Sequence, residues 1–324
     1  MLEKRKIKEY EELETVALTC NEEYVSDTCQ WVVDDNSFFS IGKTIQQLPP
    51  GFYSYIFDHS INKIRLTRIK VITDNILTLP DPVLNNILLD FQKFWENRER
   101  YQKYEFVYKR AYLMYGPPGC GKTSLIALLS KELIKRNGVI LNINTVDQIE
   151  LYDRVIKDIR DIEKEKPLIV IIEDIDGYTE FGNISRLLNI LDGTYQTDNV
   201  IIIATTNYPE RLEERFSSRP SRFDVRVLID VPSPEVREFY IKSKLKPEDL
   251  ARIDINEWIR NTEGFTLDHL KELILLTFVL DNPFDDSLIQ VKEMIKNVKI
   301  KNVTIKRGLP TPVGFSNQNE KIKQ

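Results

Sequence analysis

The stretch Gly116-Pro117-Pro118-Gly119-Cys120-Gly121-Lys122-Thr123 constrains this 324-residue chain more than any other. It fits G-x-x-x-x-G-K-[ST], leaves an apolar strand (Tyr112-Leu113-Met114-Tyr115) and opens a helix. Glycines let such a loop fold its backbone around phosphates with N–H groups aimed inward, and the helix that follows adds the positive end of its dipole. On this reading Gly116–Gly121 form the cradle, with Ser124 beside it. Lys122 bridges the β- and γ-phosphates of a nucleotide, and the Thr123 hydroxyl ligates Mg2+. Cys120 either gains a lowered thiol pKa from the helix N-terminus or simply occupies a variable loop position. A second GKT, Gly42-Lys43-Thr44, is a decoy, because Ser37 stands where the first glycine belongs and turn-rich β sequence surrounds it.

Such a loop needs an α/β frame, and the sequence supplies one. Strands are expected at Ala111–Tyr115, Val139–Ile143, Leu168–Ile172, Val200–Ala204 and Val225–Ile229, with helices at Lys122–Arg136, Gln148–Lys164 and Ile184–Leu191. Strands this apolar and this unalternating belong to a parallel sheet covered on both faces. A further helix should start at Asp81-Pro82, with Asp81 as cap and Pro82 at the first helical position. Its stripe is Leu84, Ile87, Leu88, Phe91, Phe94 and Trp95.

Upstream, from about Thr15 to Ile76, short aromatic and β-branched runs separated by turn signals predict a small, mostly antiparallel β domain. Downstream of Pro232 and Pro234 the strand signals fade into a small helical subdomain. The expected division is therefore 1–76 as a β-rich recognition domain, 77–232 as the α/β nucleotide-binding part, 233–298 as a helical lid, and 299–324 as a basic tail. From Lys296 onward there are seven Lys/Arg and one Glu, so +6, which suits a solvated tail or a contact with a partner or nucleic acid.

Composition excludes several classes. With 45 Lys+Arg against 50 Asp+Glu the net charge is −5, so no whole-protein basic field grips DNA or RNA. Cys20, Cys29 and Cys120 cannot build a disulfide framework and form no CxxC pair. The start lacks a signal-peptide core. The strongest apolar run, Leu273–Leu280, falls far short of the roughly 17–25 residues of a membrane span. These features together predict a soluble protein of a reducing compartment.

Two further stretches carry chemistry. Leu168–Ile172 runs into Glu173-Asp174-Ile175-Asp176, placing carboxylates at the strand end where α/β sheets bind ligands. Beside a phosphate loop, Glu173 and Asp174 would hold Mg2+ and polarise an attacking water. Val200–Ala204 ends in Thr205-Thr206-Asn207, where Asn207 either orients that water or only forms a turn. Arg219 and Arg222, in Arg219-Pro220-Ser221-Arg222-Phe223-Asp224, are either surface charges or reach a neighbouring subunit's γ-phosphate.

In this order the pieces resemble the AAA branch of the P-loop ATPases. GPPGCGKT looks like its Walker A, IVIIEDID its Walker B, TTN its sensor 1 and RPSRF its arginine-finger segment, over about Leu77–Leu280. Within the branch, the Glu-Asp order, LLNILDG, ATTNYPERL and KRAYLMY are similar to the subgroup of the mitochondrial Rieske-protein translocase and its soluble bacterial and phage relatives. The resemblance implies ATP and Mg2+ as cofactors and a homo-oligomeric ring of six or seven subunits. It also implies catalysis by Lys122, Glu173, Asp174 and Asn207, with Arg219 and Arg222 acting in trans. Glu173 takes the Mg2+-facing place and Asp174 that of the catalytic Glu, one methylene shorter. Ser221 replaces the usual Gly. The family's aromatic-Gly pore loop is absent from Thr145–Ile149, and Gly264–Leu270 holds no sensor 2 arginine, with His269 on the helix's polar edge. No HExxH follows, which excludes a fused metalloprotease.

The expected function is remodelling or translocation of a protein substrate, in the cytoplasm or in the host cytoplasm if the protein is viral, without a membrane span. A nucleic-acid-associated helicase or clamp loader and a nucleotide-dependent scaffold are the alternatives.

Overall fold

The computed structural model of the protein describes residues 24–26, 30–34, 37–41, 44–70, 77–181, 184–192, 198–212 and 222–307. The first strands form two short antiparallel ribbons. β1 (Tyr24–Ser26) pairs with β4 (Thr44–Ile45), and β2 (Gln30–Asp34) pairs with β3 (Ser37–Ile41). The decoy's Thr44 thus lies in a strand, while the loop glycine and lysine before it lie outside the described residues.

The main body is a seven-stranded sheet. In chain order its strands are β5 (Gly51–Asp58), β6 (Lys63–Ile69), β7 (Lys109–Tyr115), β8 (Val139–Ile143), β9 (Leu168–Ile172), β10 (Val200–Thr206) and β11 (Val225–Leu228). In space they run β11-β7-β10-β9-β8-β5-β6. Every neighbouring pair is parallel except the β5–β6 hairpin. The five strands expected from sequence are all present, and β9 and β10 are buried along their whole length. That uniform burial is why their sequence does not alternate.

The hairpin departs from the expected division. Residues 51–69 join the same sheet as the α/β part, with Gly51, Phe52 and Tyr53 in parallel register with Val139, Ile140 and Leu141. The physical cause is burial. Tyr53 and Tyr55 on β5 face inward and pack into the core shared with Ile149, Tyr152 and Val155. The turn is built as its sequence suggests, with Asp58 Oδ1 accepting from Ser60 N at 2.9 Å and Asn62 at a left-handed φ of 52°.

Helices cover both faces. On one lie α1 (Pro82–Glu96), the short α2 (Arg98–Lys103) and α3 (Lys122–Lys135); on the other lie α4 (Val146–Ile162) and α5 (Ile184–Asp192). Asp81 caps α1, accepting from Val83 N and Leu84 N, and Leu84, Ile87, Phe91 and Phe94 form its buried stripe. Asp90 on that helix clamps β7, because Arg110 donates to both its oxygens at 3.0 Å and Tyr112 Oη donates at 2.7 Å. Only Asn144 and Thr145 separate β8 from α4, and Thr145 closes a capping box with Gln148. The segment that sequence marks as lacking an aromatic-Gly loop is therefore a tight helix cap.

A helical lid follows: α6 (Pro234–Lys244), α7 (Pro247–Leu250), α8 (Ile255–Asn261), α9 (Leu267–Ile274), a π turn (Leu275–Val279) and α10 (Phe284–Arg307). It shares one continuous core with the sheet, in which Val236, Leu267 and Leu270 belong to the same cluster as Cys120, Leu125 and Leu129. The backbone of α10 stays helical to Arg307, past residue 298, and the tail beyond it lies outside the described residues. Among the described residues no helix is long and apolar enough to cross a membrane.

Candidate functional site

The site lies at the carboxyl ends of β7, β9 and β10, which adjoin in the sheet. Strand β7 ends at Tyr115 and the loop of residues 116–121 turns directly into α3. Gly116 has φ 143°, and a Cβ there would stand 2.1 Å from the Ile229 carbonyl oxygen, so only glycine lets the loop leave the sheet here. Gly119, with φ 79°, approaches the lid, where a Cβ would meet Asp268 Oδ2 at 2.8 Å and Thr266 Oγ1 at 2.9 Å. Asp268 N also donates to Gly119 O at 3.2 Å. The lid therefore seats the start of α9 on the loop.

Helix α3 starts at Gly121 with no side-chain cap, leaving its first N–H groups to the loop's concavity. Lys122 is buried, and its Nζ donates to Gly116 O at 2.8 Å and Pro117 O at 2.9 Å. Burial holds its pKa below the ordinary lysine value. Thr123 and Ser124 are exposed on the first turn. Cys120 is buried, and desolvation pushes its thiol up to about 11; of the two readings open from sequence, the activated thiol is the one this geometry opposes.

Beyond β9, Glu173 is half-buried, and burial, followed by the nearby Asp174 charge, raises its pKa. Asp174 is exposed and takes a left-handed φ of 48°. Three consecutive residues at the end of β10 grip this turn. Thr205 Oγ1 accepts from Asp174 N at 3.2 Å, Thr206 Oγ1 donates to Asp176 Oδ1 at 2.5 Å, and Asn207 Nδ2 donates to Asp174 Oδ1 at 3.2 Å. Asn207 and Asp174, singled out separately in the sequence, are in direct contact. Thr205, Thr206 and Asp176 were not singled out; the signal was two polar residues closing an otherwise aliphatic buried strand.

Arg222 has a different setting from the one expected. It is 5% exposed, and Nε and a terminal N–H donate to the two carboxylate oxygens of Asp192 at 2.8 and 2.9 Å, within the same chain. Nearby, Lys109 Nζ donates to the carbonyls of Ile190 and Leu191 at the end of α5, and burial lowers its pKa to about 8. Arg219 lies outside the described residues. His269 Nδ1 accepts from Thr266 N at 3.1 Å, which makes it part of the α9 cap.

The residues fit a nucleotide with Mg2+. The loop turns at positive φ at Gly116, Gly119 and Gly121, the helix end has no side-chain cap to compete with an anion, and Thr123, Glu173 and Asp174 offer the hard oxygen donors Mg2+ takes. Among the described residues no cluster of three His, Cys, Asp or Glu forms a protein-only metal cage. Mg2+ sites that share their ion with phosphates need none.

A parallel sheet carrying a phosphate loop, an acidic strand end and a polar third strand tip defines a P-loop nucleotide-binding domain. Residues 112–231 match the profile of the ATPase family associated with various cellular activities (AAA), a type of domain that uses ATP with Mg2+. It is 33% identical over 194 residues to the probable mitochondrial chaperone bcs1 of Schizosaccharomyces pombe, covering 55% of this chain and 42% of that protein. It is 32% identical over 168 residues to the mitochondrial chaperone BCS1 of Homo sapiens, covering 47% and 39%. ATP-dependent zinc metalloprotease FtsH 2 of Salinibacter ruber is 28% identical over 206 residues, covering 58% and 30%. The chain spans less than half the length of each of these relatives.

Proposed function

We propose that this chain is a ring-forming ATPase that couples ATP binding and hydrolysis to remodelling or translocation of a protein substrate. The observation that supports the proposal is the contact of Asn207 with Asp174, a carboxylate whose charge also acts on Lys122 of the phosphate loop. Relatives named as chaperones and as ATP-dependent proteases support a protein as the substrate. Action in the cytoplasm, of a cell or of a virus's host, belongs to the same reading, although the matched chaperones are mitochondrial by name.

In this mechanism the backbone N–H groups of Gly119, Cys120, Gly121 and Lys122, which follow the two prolines, and the Lys122 ammonium bind the phosphates. Lys122 must give up its bonds to Gly116 O and Pro117 O to do so. Thr123 and Glu173 would hold a Mg2+ ion, which when bound would neutralise charge on the transferring phosphoryl group. Asp174 accepts a proton from the attacking water, and Asn207 fixes the carboxylate that does so. Arg219 completes the site from the neighbouring subunit. Arg222, tied to Asp192, anchors the downstream end of the segment that carries Arg219. Residues before the sheet serve to recognise the substrate, because the motor itself is generic.

Steady-state phosphate release tests this reading. Turnover per chain should rise with protein concentration as subunits complete one another's sites, and Lys122→Ala should abolish it. Turnover that Lys122→Ala leaves intact would show that another site, or a contaminant, is responsible.

A further inference from the structure

We infer that Thr205 is a positioning residue for hydrolysis, whose buried hydroxyl holds Asp174 in its left-handed turn and so sets where the carboxylate points. The inference rests on the ATPase reading above and deepens it. Three observations carry it. Asp174 has φ 48°, a conformation that L-residues other than Asn and Asp seldom take, and such a turn persists only where its surroundings hold it. Thr205 Oγ1 accepts from Asp174 N at 3.2 Å, and Thr205 itself is 4% exposed on an interior strand of the sheet. That strand position pairs with Met114, two residues before the phosphate loop, so one side chain references the acidic turn to the phosphate-binding strand.

The grip matters because Asp174 is short. A carboxylate one methylene closer to the backbone depends more directly on the backbone for its reach, and Asn207 Nδ2 can bond Asp174 Oδ1 only while the turn is kept. Without the Thr205 oxygen the N–H of residue 174 loses its acceptor. The turn is then free to relax toward ordinary φ, carrying the carboxylate away from Asn207. A misplacement on the order of 1 Å costs about 100-fold in rate. Thr206 does a parallel service for the side chain of the buried Asp176.

The test uses the full chain with Thr205→Val, which keeps the volume and removes the oxygen, and Thr205→Ser, which keeps the oxygen. Phosphate release against ATP concentration and titration with a fluorescent ADP analogue are measured for each, at matched assembly. Thr205→Val should lose about 10- to 100-fold in kcat with ADP affinity within about twofold, while Thr205→Ser stays within about threefold of wild type. Thr205→Cys, near the same volume with a poor acceptor, should behave as Thr205→Val and serves if the valine variant does not fold. Wild-type kcat in Thr205→Val or Thr205→Cys, equal damage in Thr205→Ser, or a loss in ADP affinity as large as the loss in rate overturns the inference. A wild-type chain that releases no phosphate at all overturns the ATPase reading itself, and the inference with it.

Discussion

Removing Arg222 should destabilise the individual chain, whether or not it meets a second copy. Arg222 is 5% exposed and makes a two-pronged ion pair with Asp192, whose side chain is 26% exposed. Truncation to alanine leaves the Asp192 carboxylate short of two donors and opens a void under the end of α5. Breaking a buried pair costs about 3–5 kcal/mol. Because Asp192 retains some access to water, we expect the lower figure or slightly less, about 2–3 kcal/mol. For a chain of this size each kcal/mol moves Tm by about 2–4 °C, so Arg222→Ala should melt roughly 4–12 °C below wild type. The double variant with Asp192→Ala should lose less than the sum of the two single losses, since both remove one interaction. Denaturation should be followed at submicromolar and at high protein concentration, without nucleotide. A loss that appears only at high concentration, or none at either, would refute the argument and return Arg222 to a role between subunits.

Three other outcomes follow from the same geometry. Gly116→Ala must push the Ile229 carbonyl away and strain the Ile229 N to Tyr115 O bond of 2.8 Å, at a cost of about 2–4 kcal/mol, and it should abolish nucleotide binding; chemical denaturation and ADP titration check both. Glu173 has its pKa raised above the ordinary 4.5, so its ionised form is disfavoured in the folded chain and stability falls as pH rises from 4.5 through the raised value. Glu173→Gln should therefore raise the Tm of the nucleotide-free protein at pH 7, with the gain vanishing toward pH 4.5, while turnover is lost; equal gains at both pH values would contradict the assignment. In a Cys20→Ser, Cys29→Ser background, Cys120, at about 11, should alkylate on the order of 100-fold more slowly at pH 8 than a thiol of ordinary pKa 9.0, as intact-mass kinetics would show.

The parallel core was legible because burial on both faces leaves a uniform apolar run, and Leu168–Ile172 and Val200–Ala204 have no competing reading. The phosphate loop was legible because glycine, lysine and threonine are each needed at a fixed place along the chain. The β5–β6 hairpin was not assigned to this sheet. Its alternation, with Tyr53 and Tyr55 inward, marks a half-buried strand but does not say which sheet edge receives it, and that edge is chosen by a three-residue parallel register with β8. Arg222 shows the same limit from the electrostatic side. Its residue type and its place after Arg219 suit a role between subunits, while its partner Asp192 lies thirty residues upstream and is brought near only by the fold. Thr205 stands in the TTN segment, in which the sequence gives a role only to Asn207. In a strand aliphatic up to its last two residues, a buried hydroxyl signals a polar group to be satisfied, and for Thr205 that group is the N–H of Asp174.

The central claim, that the site is completed by a second copy of the chain, is tested most directly by mixing two inactive variants. Lys122→Ala cannot hold the nucleotide but still offers Arg219, and Arg219→Ala holds the nucleotide without the arginine. Each alone should turn over ATP at less than about a hundredth of the wild-type rate. Mixed one to one, they should recover turnover well above either, because some sites then combine an intact phosphate loop with an intact neighbouring arginine. A mixture no faster than its components, or an Arg219→Ala chain that hydrolyses ATP like the wild type, would contradict the account.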